Sequence, residues 1–288
     1  MNYLIAVDAA ADIDEAFFTQ NNICLFPMDY SLGDEMVSCT TMESEEKLKV
    51  FYQAQANGEL TRTSQITPYL YRKYVIPYLR EGTSILYLTL SSGLSSTYGS
   101  ACSAAKSLRE EYPEAELLPV DTLAATGGMG ILAERAVRNR QKGMSLQENA
   151  EDLKEAVRHL QHWFLVSDMQ YLKRGGRVSA SAAAIASVLS IKPILQIDRE
   201  GKLPVIGKAR GTKAAVRELL RHYEEYCLPG EDPVYICHAD APDTADLLEQ
   251  KIRELTPDVT IRKRLLSPII GAHTGPGMAS IIHIGKER

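Results

Sequence analysis

Residues 84–101, "SILYLTLSSGLSSTYGSA", decide the fold. The opening apolar run is short and rich in β-forming residues, which predicts a buried central strand. A helix is expected from Ser96 to about Tyr112, because Tyr98, Ala101, Cys102, Ala105, Leu108 and Tyr112 recur at spacings of three and four. Strand, turn and helix in this order form a βα unit of a parallel sheet. The strand ends of such a sheet face the crevice where ligands bind, and the following helix offers free N–H groups and the positive end of its dipole. Ser91, Ser92, Ser95 and Ser96 can each donate a neutral hydrogen bond, and Gly93 lets the backbone turn closely around a bound group. A small anion is the natural guest. The plainer reading is that Ser95 caps the helix and the other hydroxyls satisfy turn carbonyls.

Working outward, "YLIAVD", "NICLFPM" and "AELLPVDT" read as further strands, with helices over 44–58, 68–82 and 127–141 between or after them. The second of these helices should break at Pro77. Gly143 should end the third as a C-cap glycine, and Ser145 with Glu148 forms a capping box for the next. Beyond Trp163 the strands "HWFLVSD", "KPILQID", "LPVIGKA", "PVYICHAD", "VTIRKRLL" and "ASIIHIG" include pairs too closely spaced for helical crossovers, so part of this sheet is antiparallel. The expected architecture is therefore an α/β unit with a largely parallel sheet over residues 1–160 and an α+β unit with a mixed sheet over 161–288. The stretch "SASAAAIAS" reads as a tightly packed helix.

The chain of 288 residues is 45% apolar and 24% charged, ordinary for a soluble protein with a real core, and its formal net charge of -5 argues against a general nucleic-acid binder. No apolar run approaches the roughly 18 residues of a spanning helix, and "MNYLIAVDAAADIDE" carries acids where a secretory leader needs a basic start. A cytoplasmic location is expected, without stable membrane insertion and with at most transient membrane contact. Cys24, Cys39, Cys102, Cys227 and Cys237 are scattered without a CxxC pair and read as small buried apolar residues.

Several other polar loops could serve a ligand. "TRTSQIT", residues 61–67, is a second hydroxyl-rich turn entering a helix, and Thr63, Ser64 and Gln65 could face the same crevice. "YLKRGGRVS" sets Arg177 after two glycines, and "GKARGTKAAVRELLR" contains Arg210; both arginines can approach a phosphate or carboxylate in bidentate fashion. Arg217 and Arg221 fit a solvated helix face. "GAHTGPGMAS" places His273 in a rigid loop with little side-chain bulk. "SSGLSS" is not a GxSxG nucleophile elbow, and "GGMG" is neither GxGxxG nor a P-loop. Asp8 and Asp121 follow strands and read as loop caps rather than metal ligands.

In this order "VDAAADI", "TSQ", "SSGLSSTYGSA", "VDTLAATGGMG", "YLKRGGRVS", "SIKPIL", "GKARGTKAA" and "HTGPG" resemble the DegV family of bacterial fatty-acid-binding proteins across nearly the whole chain. The resemblance implies a long-chain fatty acid in a tunnel between two domains, its carboxylate held by Thr63 and one or more of Ser91, Ser92 and Ser95. It further implies a non-catalytic, lipid-carrying subunit, without cofactor or metal, that presents the carboxylate to an ATP-dependent fatty acid kinase for acyl-phosphate formation in phospholipid metabolism. Arg177 and Arg210 match family arginines at the carboxylate mouth or the kinase contact, and His273 matches the HTGPG histidine. Ala9, Ile66 and Ser96 depart from the serine, proline and glycine usual at those places. Two rival readings are a serine-dependent acyl hydrolase using Ser92 or Ser95 with His273 as base, and a phosphate or nucleotide sensor using the arginines.

Overall fold

The computed structural model describes residues 3–40, 43–181, 190–228 and 230–288. Its first sheet is parallel and four-stranded, built from β1 (Tyr3–Asp8), β2 (Ile23–Phe26), β6 (Ser84–Thr89) and β7 (Leu117–Asp121) in the order β2-β1-β6-β7. Helices α1 (Glu15–Gln20), α3 (Pro68–Arg80) and α4 (Thr97–Glu111) lie on the crossovers between these strands. Contrary to expectation, α3 runs through Pro77. That proline stands in the last turn, where its missing N–H removes a single backbone bond.

The expected strand "NICLFPM" is two strands. Pro27 cannot donate to a ladder, so the chain leaves the parallel sheet there and enters a small antiparallel one. This sheet comprises β3 (Met28–Leu32), β4 (Glu35–Cys39) and β5 (Thr61–Thr63) in the order β4-β3-β5, with α2 (Glu45–Ala56) between its last two strands in sequence. Its hairpin signal was present in the Gly33-Asp34 loop, where Gly33 has φ +58°.

A six-stranded mixed sheet holds β8 (Leu160–Leu165), β9 (Ile191–Gln196), β10 (Val205–Arg210), β11 (Val234–His238), β12 (Ile261–Leu265) and β13 (Ala279–Ile284). Its order is β10-β9-β8-β13-β11-β12, antiparallel except for β11 beside β12. Helix α8 (Thr212–Tyr226) and α9 (Pro242–Leu255) cover one face. Against the other lies α5 (Gly127–Gln141), which also packs on β1 and β6 and so stands between the two large sheets. This explains "GGMG": a Cβ on Gly127 or Gly130 would overlap Tyr235, and one on Gly128 would overlap His162. Gly143, at φ +84°, follows α5, and the Ser145–Glu148 capping box starts α6 (Leu146–Arg158).

The remaining described helices are α7 (Gln170–Arg174) and α10 (Pro268–Thr274). The expected helix over "SASAAAIAS" falls, from residue 182, outside the described residues. Cys39 and Cys237 are buried as expected, whereas Cys24, Cys102 and Cys227 are only partly so. Among the described residues no helix is long and apolar enough to cross a membrane.

Candidate functional site

A cavity of about 530 Å³ opens between the C-terminal ends of the parallel strands and the α5-facing side of β8 and β13. This lies within the range of roughly 300–1,000 Å³ usual for small-molecule sites. Its apolar walls come from Leu90, Phe164, Leu172, Ile269, Met278 and Ile282. One set of polar groups gathers where three loops and the end of α10 converge.

The first loop is the hydroxyl-rich turn after β6. Asp8, fully buried, accepts from Leu90 N–H at 2.8 Å and from Ala10 N–H at 3.0 Å, which ties the ends of β1 and β6 together. Burial raises its carboxyl pKa to about 6. Ser91 is spent on the scaffold: its hydroxyl donates to Gly201 O at 2.8 Å and accepts from Gly93 N–H at 3.1 Å, and the residue is fully buried. A Cβ on Gly93 would lie 2.5 Å from Glu200 O, so the turn can dock there only as glycine. Ser91 therefore does not reach the cavity with its neighbours, a placement the sequence could not distinguish from that of Ser92. Ser92 is exposed at the cavity; its N–H donates to Asp121 Oδ1 at 3.1 Å, and its hydroxyl has no protein partner among the described residues. Ser95 also lines the cavity, and its Oγ accepts from Thr97 N–H at 3.2 Å; the N-cap of α4 is Ser96, one residue later than the capping reading placed it. Asp121 and Asp8 are engaged as loop caps, since Asp121 Oδ1 also accepts from Leu123 N–H at 3.1 Å.

Facing this turn, β5 delivers Thr63 and α10 delivers His273. Thr63 Oγ1 and His273 Nε2 are hydrogen-bonded at 2.8 Å. Burial, together with the nearby Arg177 charge, pushes the His273 pKa down to about 4, so the ring is neutral near pH 7. A neutral ring that donates from Nε2 leaves the Thr63 hydroxyl hydrogen free to point at a ligand acceptor. Gly175 is required beside it, because a Cβ there would overlap His273 Nδ1. Ser64 and Gln65 complete this wall.

Arg177 closes the polar side. Its Nε donates to Leu94 O at 3.0 Å and its Nη1 donates to Gly175 O, and among the described residues it forms no ion pair. Burial lowers its pKa from the ordinary value, yet an arginine keeps its charge. Other partly buried arginines divide: Arg135 binds Asp152 at 2.6 Å and Asp232 at 3.1 Å and Arg262 binds Glu134 at 3.2 Å, whereas Arg288, away from the cavity, donates like Arg177 only to backbone carbonyls, those of Leu123, Asp198 and Val157. An uncompensated guanidinium beside donor hydroxyls favours an anionic guest.

Arg210 is placed elsewhere. It ends the exposed edge strand β10 and is not part of the cavity wall. Arg221 pairs with Glu218 and Glu225 on the surface of α8, as a solvated face should. Sequence reasoning missed His162 in the cavity wall. Both its ring nitrogens lack a hydrogen-bond partner, and burial pushes its pKa down to about 3. The alternation of "HWFLVSD" could have found it, since His162 and Phe164 share one face of β8.

With this geometry in place, comparison with known proteins is decisive. A family pattern described as "Uncharacterised protein, DegV family" matches residues 2–286. The chain belongs to the DegV family. A DegV domain-containing protein of Clostridium perfringens is 34% identical over 287 residues, covering 99% of this chain and 98% of its own. A hypothetical protein of Thermotoga maritima, whose structure reveals fatty acid binding function, superposes with a TM-score of 0.83 at 27% identity over 99% of both chains. The Streptococcus pneumoniae Fatty Acid Kinase (Fak) B3 protein loaded with linoleic acid shares the fold, with a TM-score of 0.85 at 19% identity over 99% of this chain and 100% of its own. DegV structures of this kind bind fatty acids. Of this chain's departures from the usual DegV motifs, Ile66 is buried in the core beside the TSQ turn, Ala9 is buried near the end of β1, and Ser96 caps α4 by position while lining the cavity.

Proposed function

We propose that this protein carries a long-chain fatty acid in the cavity and presents its carboxylate to an ATP-dependent fatty acid kinase in the cytoplasm. In this reading residues 1–160 and 161–288 are the two units that sheathe the chain. Thr63, Ser92 and Ser95 donate hydrogen bonds to the carboxylate, Arg177 compensates its charge, and Arg210 on the outer edge strand contacts the kinase. The observation that carries the reading is Arg177, without an ion pair among the described residues, beside the Thr63–His273 pair in a cavity whose apolar walls include Leu90, Phe164, Leu172 and Ile282. Each buried methylene contributes roughly 0.8 kcal/mol, so the acyl chain supplies on the order of 10 kcal/mol before ordering costs, and the head-group bonds set orientation.

The hydrolase alternative has less support. His273 bonds Thr63 rather than Ser92 or Ser95, and among the described residues no carboxylate bonds its ring. With its pKa pushed down to about 4 it is also a weak base at neutral pH.

Mass spectrometry of lipid extracted from the purified protein tests the carrier reading. A lipid-free preparation that also fails to take up labelled oleate or palmitate rejects it. Thr63→Ala and Ser92→Ala are each expected to weaken fatty-acid binding about tenfold, as for lost hydrogen bonds to a charged acceptor. Acyl phosphate should form when the kinase, ATP and the loaded carrier are mixed, and not when the carrier is omitted.

A further inference from the structure

Gln55, in the last turn of α2, is buried far from solvent although its side chain is polar. Its amide nitrogen donates to Thr61 Oγ1 at 2.9 Å and to Gly271 O at 3.1 Å. Thr61 passes its own hydrogen to Ala272 O at 3.2 Å. The backbone carbonyl of Gln55 accepts from the Tyr171 hydroxyl at 3.2 Å. One residue thus holds three chain segments, and each segment carries a head-group residue shortly afterwards. Thr61 leads to Thr63 in β5, Gly271 and Ala272 lead to His273 in α10, and Tyr171 in α7 leads to Arg177.

The amide orientation follows from its partners. Turning it over would set Oε1 against the Gly271 carbonyl and against a hydroxyl whose hydrogen is already committed. In the observed orientation Oε1 has no partner, so this buried group is retained at some cost. Helix α10 has only seven residues, too few to hold its shape by its own backbone bonds. Its last turn, which bears His273, is instead fastened from outside by Gln55 and Thr61. Close packing completes the arrangement, since a Cβ on Gly271 would overlap the Tyr52 hydroxyl and one on Gly275 would overlap the Tyr171 ring.

We propose that Gln55 is a positioning residue of the head-group site, its side chain setting Thr63 and His273 in one geometry through its bonds to Thr61 and Gly271. It touches no ligand itself. The identity of the ligand rests on the fatty-acid reading above; the positioning of His273 does not.

The test compares the wild type with Gln55→Met, measuring affinity for stearate and for stearyl alcohol, which has the same chain without the carboxylate. About tenfold weaker stearate binding with unchanged alcohol binding is expected, the size of one well-made polar contact to a charged group. Equal losses for both lipids, or no loss for either, would overturn the proposal. A second readout needs no lipid: in the variant the NMR titration of the His273 ring should move up from its depressed midpoint, and an unmoved titration and unmoved ring signals also overturn it. If the wild type binds neither lipid, the fatty-acid reading falls while the His273 titration still decides the positioning claim. Should Gln55→Met not fold, Thr61→Val removes the shared hydroxyl, and the same changes in the same direction are expected.

Discussion

The two faces of the six-stranded sheet make different use of the same strands. On β8, Trp163 and Leu165 join Ile194 and Ile281 in a solid core under α8 and α9. The alternate residues His162 and Phe164, with Ser280 and Ile282 of the neighbouring strand, face the cavity. A strand reverses its side chains at every residue, so one sequence can build a filled interior and a hollow one back to back. The filled face carries stability. The hollow face gives up packing contacts, a sacrifice that makes physical sense where a ligand supplies the missing atoms.

The largest expected effect separates the faces directly. Leu219→Ala removes a fully buried side chain from the filled side and should cost about 2–5 kcal/mol in denaturant unfolding, with lipid preference unchanged. Phe164→Ala removes more atoms, yet should cost less than the roughly 3–5 kcal/mol usual for a packed phenylalanine, because one flank already opens on the cavity. It should also shift preference towards longer or bulkier acyl chains. Equal destabilisation by the two variants would break the comparison.

A second prediction sharpens the contrast between paired and unpaired arginines. Arg177→Met should weaken fatty-acid binding by about 1.5–3 kcal/mol, tenfold to a hundredfold, and leave binding of the corresponding alcohol unchanged. Isothermal titration with both lipids reads the difference, and equal effects would remove Arg177 from the head-group role.

The smallest effect is on pH dependence. Burial pushes His273 and His283 down to about 4 and His162 to about 3, against an ordinary 6.5. Between about pH 6.5 and 4 the unfolded chain binds protons that these rings refuse, so they subtract stability as pH falls through that window. Asp8 and Asp12, raised by burial from 3.8 to about 6, act in the opposite sense, because the folded state takes up their protons first. With His222 and His238 also pushed down by burial, five histidines stand against these two carboxyls, which predicts a net loss on acidification. Melting curves for the wild type and His273→Gln measure it, with a flatter slope expected for the variant.

Much of this was legible before any coordinates. The βα grammar, the helix caps at Ser145 and Gly143 and the change to antiparallel pairing after Trp163 all follow from local chemistry, which the fold respects. That Thr63 could share a crevice with Ser92 and Ser95 was readable from two hydroxyl-rich turns, whereas placing Arg177 and His273 with them needed the family resemblance, since they come from segments far apart in the chain. Three features escaped for physical reasons. The small antiparallel sheet was hidden because one proline divides an apparently continuous apolar run. Ser91 could not be told from Ser92, because burial depends on a distant turn at Gly201. Gln55 gave no signal, as a single polar residue in an amphipathic helix reads as surface until its partners are placed.

Helix α5 has a last consequence. Its glycines let it approach Tyr235 and His162 of the six-stranded sheet while it also packs on β1 and β6, so its burial belongs to both large sheets in common. Swinging the sheets apart like a book would strip this shared spine bare and forfeit both sets of contacts. For the proposed carrier, entry of a lipid by a local shift at the rim keeps both sets of contacts, and hinge opening does not.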